Sequence, residues 1–310
     1  MKALILALAL SAVTASSALA APPVKEYSLR ADFAVPADIT VGPDGALWAA
    51  DGSLGRIWRI TTRGKVSSID VGGGPAGIAT GPDGALWVTD RTNDVILRVT
   101  TSGDVTSHAL PTSGAFPTDI VAGPDGALWF TETHADKIGR ITVDGDVTEY
   151  PLATAGAFAA DIVVGPDGAL WFTEQSGDKV GRVTTAGQVT EFPLAAGSLP
   201  GPIVAADGAL WLAERNSNVI TRVTTAGEVT DQFAIPTENA NPLALVAGPD
   251  GGLWIAEHSA SALVHMSLDG VFGRPRRLKS APDGMTLGPD GALWYASGNE
   301  GKIGRVDIAR

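Results

Sequence analysis

Seven near-copies of one phrase run through the sequence. The clearest form, GPDGALWFTE, occupies residues 123–132 and recurs letter for letter at residues 165–174. When the copies are aligned on their tryptophan, successive tryptophans lie 39 to 43 residues apart, at Trp48, Trp87, Trp129, Trp171, Trp211, Trp254 and Trp294. A period of about 40 residues is typical of chains that stack one supersecondary unit on the next. The repeat therefore restricts the fold to seven similar units in an array or a ring.

Each unit contains four short apolar segments separated by glycine-rich turns. In the third unit the segments are DIVA, ALWFTE, KIGRITV and DVTEYPL, within residues 119–152, and they are rich in β-branched and aromatic residues. The GPDG turn explains its own aspartate, since proline, aspartate and glycine together favour a tight reversal. Four-stranded units of this length form the blades of β-propellers. We predict an all-β fold, a seven-bladed β-propeller of four-stranded antiparallel blades.

The two ends of the repeat predict how the ring closes. The seventh unit stops after its third segment, GKIGRVDIAR at residues 301–310, and lacks a fourth. Residues 24–30, VKEYSLR, resemble a fourth segment such as VTEYPLA at residues 147–153, although no unit precedes them. We expect this N-terminal strand to complete the last blade, which would remove an open sheet edge.

The first 20 residues predict a secretory signal peptide. Lys2 precedes the apolar run from Ala3 to Leu10, and the small-residue pattern Ala18-Leu19-Ala20 ends the segment. We therefore expect a signal peptide at 1–20, a single propeller domain at 21–310, and a periplasmic or secreted location. The sequence has no cysteine, which suits an oxidising compartment without disulfides.

The charge balance limits the partners that this chain can have. The net charge is −12, so the protein repels the phosphates of nucleic acids and the head groups of anionic lipids. No segment after the signal peptide is long and apolar enough to predict a membrane span. We expect a monomer that binds a small-molecule, peptide or saccharide ligand, with no nucleic acid and no membrane as partners.

Two positions in each unit are candidates for a functional site. The first strand of a blade lines the channel, and its start carries an aspartate at Asp38, Asp119 and Asp161, which we predict to bind ligand. Three residues after the tryptophan, where the second strand should end, six of the seven units carry an acid: Asp51, Asp90, Glu132, Glu174, Glu214 and Glu257.

A ring of carboxylates can concentrate cations and hold Mg²⁺ or Ca²⁺ through oxygen ligands. On this hypothesis Glu132, Glu174 and Glu257 are the candidate metal ligands. The alternative is structural: each acid caps backbone amides or pairs with a neighbouring cation, as one more repeated bond of the blade.

Two of the four histidines fall in loops on the same face. His134 and His258 follow second strands, close to Glu132 and Glu257. A histidine beside a carboxylate is the usual pair of a base and the group that orients it. We take His258 and Asp283 as candidate catalytic residues and His134 as a candidate ligand-binding residue. Each histidine can equally be a solvated loop residue.

The combination of P-x-x-I, GPDGALWFTE, KIGRIT and VTEYPL resembles the virginiamycin B lyase (streptogramin lyase) family of seven-bladed propellers, over the whole mature chain. The resemblance implies an elimination that opens a cyclic depsipeptide, with a histidine as base and Mg²⁺ held by glutamates. The positions of the family's two histidines correspond here to Leu243 and Asp283. Those of its metal glutamates correspond to Ala281 and a site near Gly298, and that of its first-blade aromatic residue to Ala37.

The residues at these positions lead to two functional expectations. Because Leu243 cannot accept a proton, we favour an exported propeller that binds a small or peptide-like ligand at the acidic channel mouth, rather than an antibiotic lyase. The alternative is a divergent enzyme, a metal-dependent carbon–oxygen lyase or lactone hydrolase, with Mg²⁺ or Ca²⁺ at the mouth.

Overall fold

A computed structural model describes residues 23–308, so the predicted signal peptide lies outside the described residues. The described chain is built of strands and turns, and no helix in it is long and apolar enough to cross a membrane. The first strand, β1, spans Val24–Ser28. The next sixteen strands form four blades: β2 Pro36–Val41, β3 Leu47–Asp51, β4 Arg56–Ile60 and β5 Val66–Asp70 (blade 1); β6 Pro75–Thr80, β7 Leu86–Asp90, β8 Val95–Val99 and β9 Val105–Ala109 (blade 2); β10 Pro117–Ala122, β11 Leu128–Glu132, β12 Lys137–Ile141 and β13 Val147–Pro151 (blade 3); β14 Ala159–Val164, β15 Leu170–Glu174, β16 Lys179–Val183 and β17 Val189–Pro193 (blade 4).

The remaining strands are β18 Pro200–Ala206, β19 Ala209–Glu214, β20 Val219–Val223 and β21 Val229–Ala234 (blade 5); β22 Pro242–Ala247, β23 Leu253–Glu257, β24 Ala262–Met266 and β25 Arg276–Arg277 (blade 6); β26 Met285–Leu287, β27 Leu293–Ser297 and β28 Lys302–Val306 (blade 7). Each blade is an antiparallel sheet, and in blades 1 to 6 the strands follow chain order from the channel outward. The prediction of a seven-bladed β-propeller is confirmed.

The ring closes through the first strand, as the sequence predicts. β1 is the outermost strand of blade 7, where it pairs antiparallel with β28 from Val24 opposite Val306 to Ser28 opposite Lys302. At the channel, the backbone N–H of Gly284 in blade 7 donates to the carbonyl of Ala37 in blade 1 at 2.8 Å. The last blade is therefore joined to the first at both its inner and its outer edge.

The GPDG aspartate has a structural role that extends beyond its turn. In blade 3, Asp125 Oδ1 accepts the indole N–H of Trp129 at 3.1 Å, and its Oδ2 accepts Arg140 Nε at 2.7 Å. Burial alone would raise the pKa of Asp125, but these hydrogen bonds outweigh it and lower the pKa. The same three-residue arrangement occurs in four other blades, around Asp44, Asp83, Asp167 and Asp290.

The core lies between blades and is filled by complementary side-chain sizes. Phe130 on β11 pairs with Gly139 on β12, and a Cβ at position 139 would lie 2.1 Å from the phenyl ring. In blade 1 the sizes are reversed, with Ala49 opposite Trp58. Trp87 of blade 2 packs in the same buried cluster as Phe130, so neighbouring blades share one apolar layer.

Candidate functional site

The first strands of the blades converge on one face of the propeller around a single cavity, here called the mouth cavity. Its volume is about 530 Å³. This is the face of the loops that join second to third strands and one blade to the next; the GPDG turns lie on the opposite face. The charged side chains on its wall are Asp38, Arg91, Asp119, Asp161, Arg215 and Asp283.

Asp38, Asp119 and Asp161 lie where the sequence predicts them, at the channel. Each of them is tied to the first strand of a following blade: Asp38 Oδ2 accepts the N–H of Ile78 at 2.9 Å, and Asp119 Oδ2 accepts that of Ile162 at 2.8 Å. Asp161 makes the same bond to Ile203 at 2.8 Å. These aspartates therefore link neighbouring blades as well as lining the cavity.

The three channel aspartates hold protons more strongly than free carboxyl groups do. Burial, together with the charge of Asp119, raises the pKa of Asp38 to about 7. Burial and the neighbouring Asp161, with which it shares a hydrogen bond, raise the pKa of Asp119 well above its usual value. The pKa of Asp161 is also raised, mainly by burial. At neutral pH the channel therefore carries less negative charge than three carboxylates would give it.

The structure does not bring the predicted metal ligands together. Glu132, Glu174 and Glu257 are fully buried in blades 3, 4 and 6, and none of them lines the mouth cavity. The physical reason is that second strands are buried along their whole length, so their last residue is enclosed by the blade.

Two of these glutamates are buried with only partial compensation from nearby lysines. Neither carboxylate oxygen of Glu132 or Glu174 has a hydrogen-bond partner among the described residues. Burial, with a smaller contribution from the charge of Glu149, raises the pKa of Glu132 to about 8. Burial and Glu191 raise the pKa of Glu174 to about 7. At neutral pH both side chains therefore hold a proton more strongly than a free glutamate does.

The carboxylates of the described chain are not grouped as a three-ligand cluster. Between residues 23 and 308, no group of three or more histidine and acidic side chains has the geometry to hold a metal ion. Asp283 is the only acid of the mouth at a position that the resemblance assigns to the family's chemistry, and its Oδ2 already accepts the N–H of Gly298 at 2.7 Å.

Other acids at the same position serve as structural caps, as the alternative hypothesis expects. Asp51 Oδ1 accepts the backbone N–H groups of Val35 and Ser53, both at 3.1 Å, while its Oδ2 accepts the indole N–H of Trp58 at 2.8 Å. In blade 5, Glu214 Oε1 accepts the hydroxyl of Thr221 at 2.6 Å. Asp51 thereby fixes the loop that follows its second strand, whereas Glu214 links its strand to the next strand of the blade.

Sequence analysis missed the position that does reach the mouth. In four blades it is the residue directly after the second strand, which contributes Arg91, Gln175, Arg215 and Gly298 to the cavity wall. The signal was present in the alignment, four residues after each tryptophan. Its residues differ from unit to unit, which is what a binding surface on a repeated scaffold requires.

The two candidate catalytic residues lie in contact across the boundary between blades 6 and 7. His258 Nδ1 lies 2.9 Å from Asp283 Oδ1 and 3.3 Å from the carbonyl oxygen of Pro282. Burial raises the pKa of Asp283, although the backbone N–H of Gly298 and the histidine oppose the shift.

His134 lies elsewhere on the same face and belongs to an aromatic group. Its ring stacks on Phe116 with centroids 4.2 Å apart and meets the edge of Phe158 at 5.5 Å. It is exposed, and blades 4 and 5 lie between it and the blade of His258, so the two histidines lie at different places on the rim.

The comparisons with known proteins agree with this architecture. A model of the virginiamycin B lyase family matches residues 18–199 and 162–310. A solved structure described as a streptogramin B lyase is 31% identical with a TM-score of 0.87, over 93% of this chain and 98% of that chain. Selenomethionine-substituted virginiamycin B lyase from Staphylococcus aureus is 33% identical with a TM-score of 0.87, over 93% of this chain and 99% of that chain.

A catalytically inactive histidine-to-alanine variant of virginiamycin B lyase from Staphylococcus aureus, solved with quinupristin, is also 33% identical; its TM-score is 0.86, over 93% of this chain and 99% of that chain. A search of curated proteins found no match. The family matches span both halves of the repeat, and the structural matches span almost the whole ring. The chain belongs to the virginiamycin B lyase family.

Proposed function

We propose that this chain is an exported propeller that binds a small or peptide-like ligand in the mouth cavity. The observation that carries the proposal is the convergence of charged side chains from five consecutive blades on one cavity: Asp38, Arg91, Asp119, Asp161 and Arg215. The cavity volume falls within the range of roughly 300 to 1,000 Å³ that is typical of small-molecule sites. Small residues keep the space open at Ala37, Ala76, Ala160 and Gly201.

Binding is favoured over the family's reaction by the residues at two positions of the wall. Leu243 and Asp283 line the mouth cavity where the resemblance assigns histidines. A leucine has no lone pair with which to accept a proton, and among the described residues no three acidic or histidine side chains are grouped to hold a metal ion. The proposed function therefore uses the wall for recognition and needs no step through a metal.

A second candidate function rests on the contact between His258 and Asp283. A carboxylate that accepts the Nδ1 proton fixes the tautomer and leaves Nε2 as a proton acceptor. With a ligand bound beside it, His258 would be placed to act as a general base in a carbon–oxygen lyase or a lactone hydrolase. The distance of 2.9 Å between Nδ1 and the carboxylate oxygen favours this arrangement.

One experiment separates these two functions. The purified chain is titrated with quinupristin by calorimetry, and the mixture is then analysed by liquid chromatography and mass spectrometry. The binding function predicts heat of binding and recovery of unchanged quinupristin. Elimination would yield an isomer of the same mass with a new retention time, and hydrolysis would add one water.

Two histidine variants identify the catalyst if a product forms. A product that is lost in His258→Ala but kept in His134→Ala would replace the binding function with base catalysis by His258. If neither quinupristin nor the aromatic acid and amide described below produced heat or a spectral change, the binding function itself would be wrong.

A further inference from the structure

Arg215 is a partly buried cation on the wall of the mouth cavity and lacks an acidic partner. Its Nε donates to Asn241 Oδ1 at 3.0 Å, and within residues 23–308 no carboxylate lies within the 4.0 Å of an ion pair. Burial lowers the pKa of Arg215, and no acid opposes the shift. On the opposite face, by contrast, arginines such as Arg140 pair with the GPDG aspartates. The terminal nitrogens of Arg215 are therefore available to donate hydrogen bonds to a ligand.

The backbone beside Arg215 is shaped to hold this side chain in place. A Cβ at Gly201 would lie 2.9 Å from Arg215 Cδ and 3.2 Å from its Cγ. Glycine at this position therefore lets the aliphatic part of Arg215 cross the first strand of blade 5 at close range. An arginine with a fixed stem loses less entropy when its guanidinium binds a ligand.

Arg91 places a second guanidinium on the same cavity. It occupies the equivalent position of blade 2, after Asp90, and its Cζ lies 5.6 Å from the ring centroid of Phe116. Within the described chain it too has no carboxylate at ion-pair distance. The wall therefore carries two cations that form no ion pair within the described chain, in a protein whose net charge is −12.

An apolar rim lies beside these cations. Phe158 and Leu199 immediately precede the first strands of blades 4 and 5, and their side chains are 41% and 37% exposed. Both have a positive φ, 53° and 51°, as does Phe116 at 53°. Bulky residues in this left-handed region cost on the order of 1 kcal/mol each, and such strain concentrates at functional sites. The positive φ recurs at Asn241 in blade 6 and so belongs to the repeated loop; it is the exposure of Phe158 and Leu199, which lie outside the cavity wall itself, that makes them available to a ligand.

We propose that the mouth cavity selects a peptide-like ligand that carries a free carboxylate next to an aromatic or large apolar side chain. Arg215 binds the carboxylate through its terminal nitrogens, Arg91 adds favourable charge across the cavity, and Phe158 and Leu199 contact the apolar group. This inference rests on the proposed binding function and specifies its ligand class.

The channel aspartates determine where the carboxylate binds. Asp38, Asp119 and Asp161 lie at the start of the first strands, so an anion is repelled from the channel and kept at the side of the cavity near Arg215. Their raised pKa values weaken this repulsion at neutral pH and allow an anionic ligand to enter. Arginine suits the task because its guanidinium can donate two parallel hydrogen bonds to one carboxylate.

The test compares two probes that differ only in charge, N-acetylphenylalanine and N-acetylphenylalaninamide. Dissociation constants are measured by nuclear magnetic resonance titration of the nitrogen-15-labelled protein, with the Nε–H signal of Arg215 as a local reporter. We expect the acid to bind about tenfold more tightly than the amide, because a charged hydrogen-bond pair contributes about that factor. Inorganic phosphate, titrated separately, tests whether any small anion suffices.

Three variants locate the preference. Arg215→Gln should abolish the difference between acid and amide, and Gly201→Ala should reduce it by displacing the arginine stem without changing charge. The control is Arg222→Gln in the same blade, which removes a cation that already pairs with Asp231 at 3.8 Å and lies at the opposite end of the blade. It should keep the tenfold preference.

Each result decides a separate claim. Equal binding of acid and amide, or a preference that survives in Arg215→Gln, would overturn the carboxylate inference and leave the binding function standing. Phosphate binding as tight as that of the acid would show that the apolar rim does not contribute to selection. Failure of quinupristin and of both probes to bind would overturn the inference and the binding function together.

Discussion

Glu26 Oε2 accepts a hydrogen bond from Lys302 Nζ at 3.1 Å and so joins the first strand of the propeller to the last. Glu26 Oε1 also accepts the hydroxyls of Tyr295 and Ser280, both at 3.0 Å. Burial alone would raise the pKa of Glu26, but the hydrogen bonds from Lys302, Tyr295 and Ser280 outweigh it and lower the pKa. The closure of the ring thus depends on an ionised side chain as well as on backbone pairing.

Glu26→Ala should weaken the closure of the ring. The substitution leaves the Tyr295 hydroxyl and the Lys302 ammonium without their acceptor, at an expected cost of about 2 kcal/mol in the free energy of unfolding. Urea denaturation measures this cost, and amide hydrogen exchange of Val24–Ser28 shows where it acts.

The control for this prediction is Glu149→Ala. Glu149 makes a similar cluster in blade 3, where its Oε2 accepts Lys137 Nζ at 2.6 Å and Thr112 Oγ1 at 2.7 Å. It joins strands that are already adjacent in the chain, so its loss should leave exchange in β1 unchanged. Equal protection of β1 in wild type and Glu26→Ala would contradict the role given to Glu26.

The buried glutamates Glu132 and Glu174 predict that stability falls as the pH rises. Their pKa values in the folded protein, about 8 and about 7, exceed the unfolded value of 4.5, so the folded state binds more protons between these limits. Stability from these groups is therefore fully present below pH 4.5 and is lost as the pH rises through 7 to 8. Unfolding free energies measured across this range should show the decline.

Glu132→Gln should remove most of the part of this decline that comes from Glu132. We expect the free energy of unfolding at pH 9 to rise by an amount of the order of 2 kcal/mol, because the amide carries no charge to bury. The matched control is Glu214→Gln, at the same position of blade 5. The Glu214 carboxylate is already satisfied by Thr221 and Gln232, so the amide should bring no gain at pH 9. A similar gain in both variants would show that hydrogen-bond satisfaction is not the deciding factor.

The repeat predicts the fold because each unit must bury the same faces against its neighbours. The tryptophan spacing gives the number of blades, and the missing last segment gives the closure by β1. The positions of Asp38, Asp119 and Asp161 follow as well, since the start of each first strand has only the channel to face.

The site was harder to predict, because a shift of one position along the chain decides whether a side chain is enclosed by the blade or reaches the mouth. Glu174 and its successor Gln175 are adjacent in sequence, yet the first is enclosed by the blade and the second lines the mouth cavity. Which of two neighbours reaches the mouth depends on where the strand ends, and a sequence pattern does not fix that point. The sequence also did not predict that Arg215 lacks an acidic partner. The neighbours of this side chain include residues of other blades, which the sequence pattern does not identify.

Asp125→Ala should destabilise blade 3, because the indole N–H of Trp129 is left buried without an acceptor and Arg140 loses its ion pair. The expected cost is about 2 kcal/mol, measured by thermal or urea unfolding. The comparison is Asp207→Ala in blade 5, where Trp211 donates instead to the carbonyl of Ala206 at 3.3 Å. That change should cost less, since it meets only the strain of alanine at a φ of 48°.

Phe158→Asn should separate stability from ligand binding at the rim. Asparagine tolerates the left-handed region, and the chain itself places Asn241 at the equivalent position of blade 6 with a φ of 47°. The substitution therefore relieves backbone strain of about 1 kcal/mol while it removes an exposed aromatic ring. We expect unfolding free energy equal to or above that of the wild type, together with weaker binding of N-acetylphenylalanine in the same titration used for Arg215. A loss of stability would show that the contact with His134 outweighs the strain, and unchanged binding would show that Phe158 lies outside the ligand's reach.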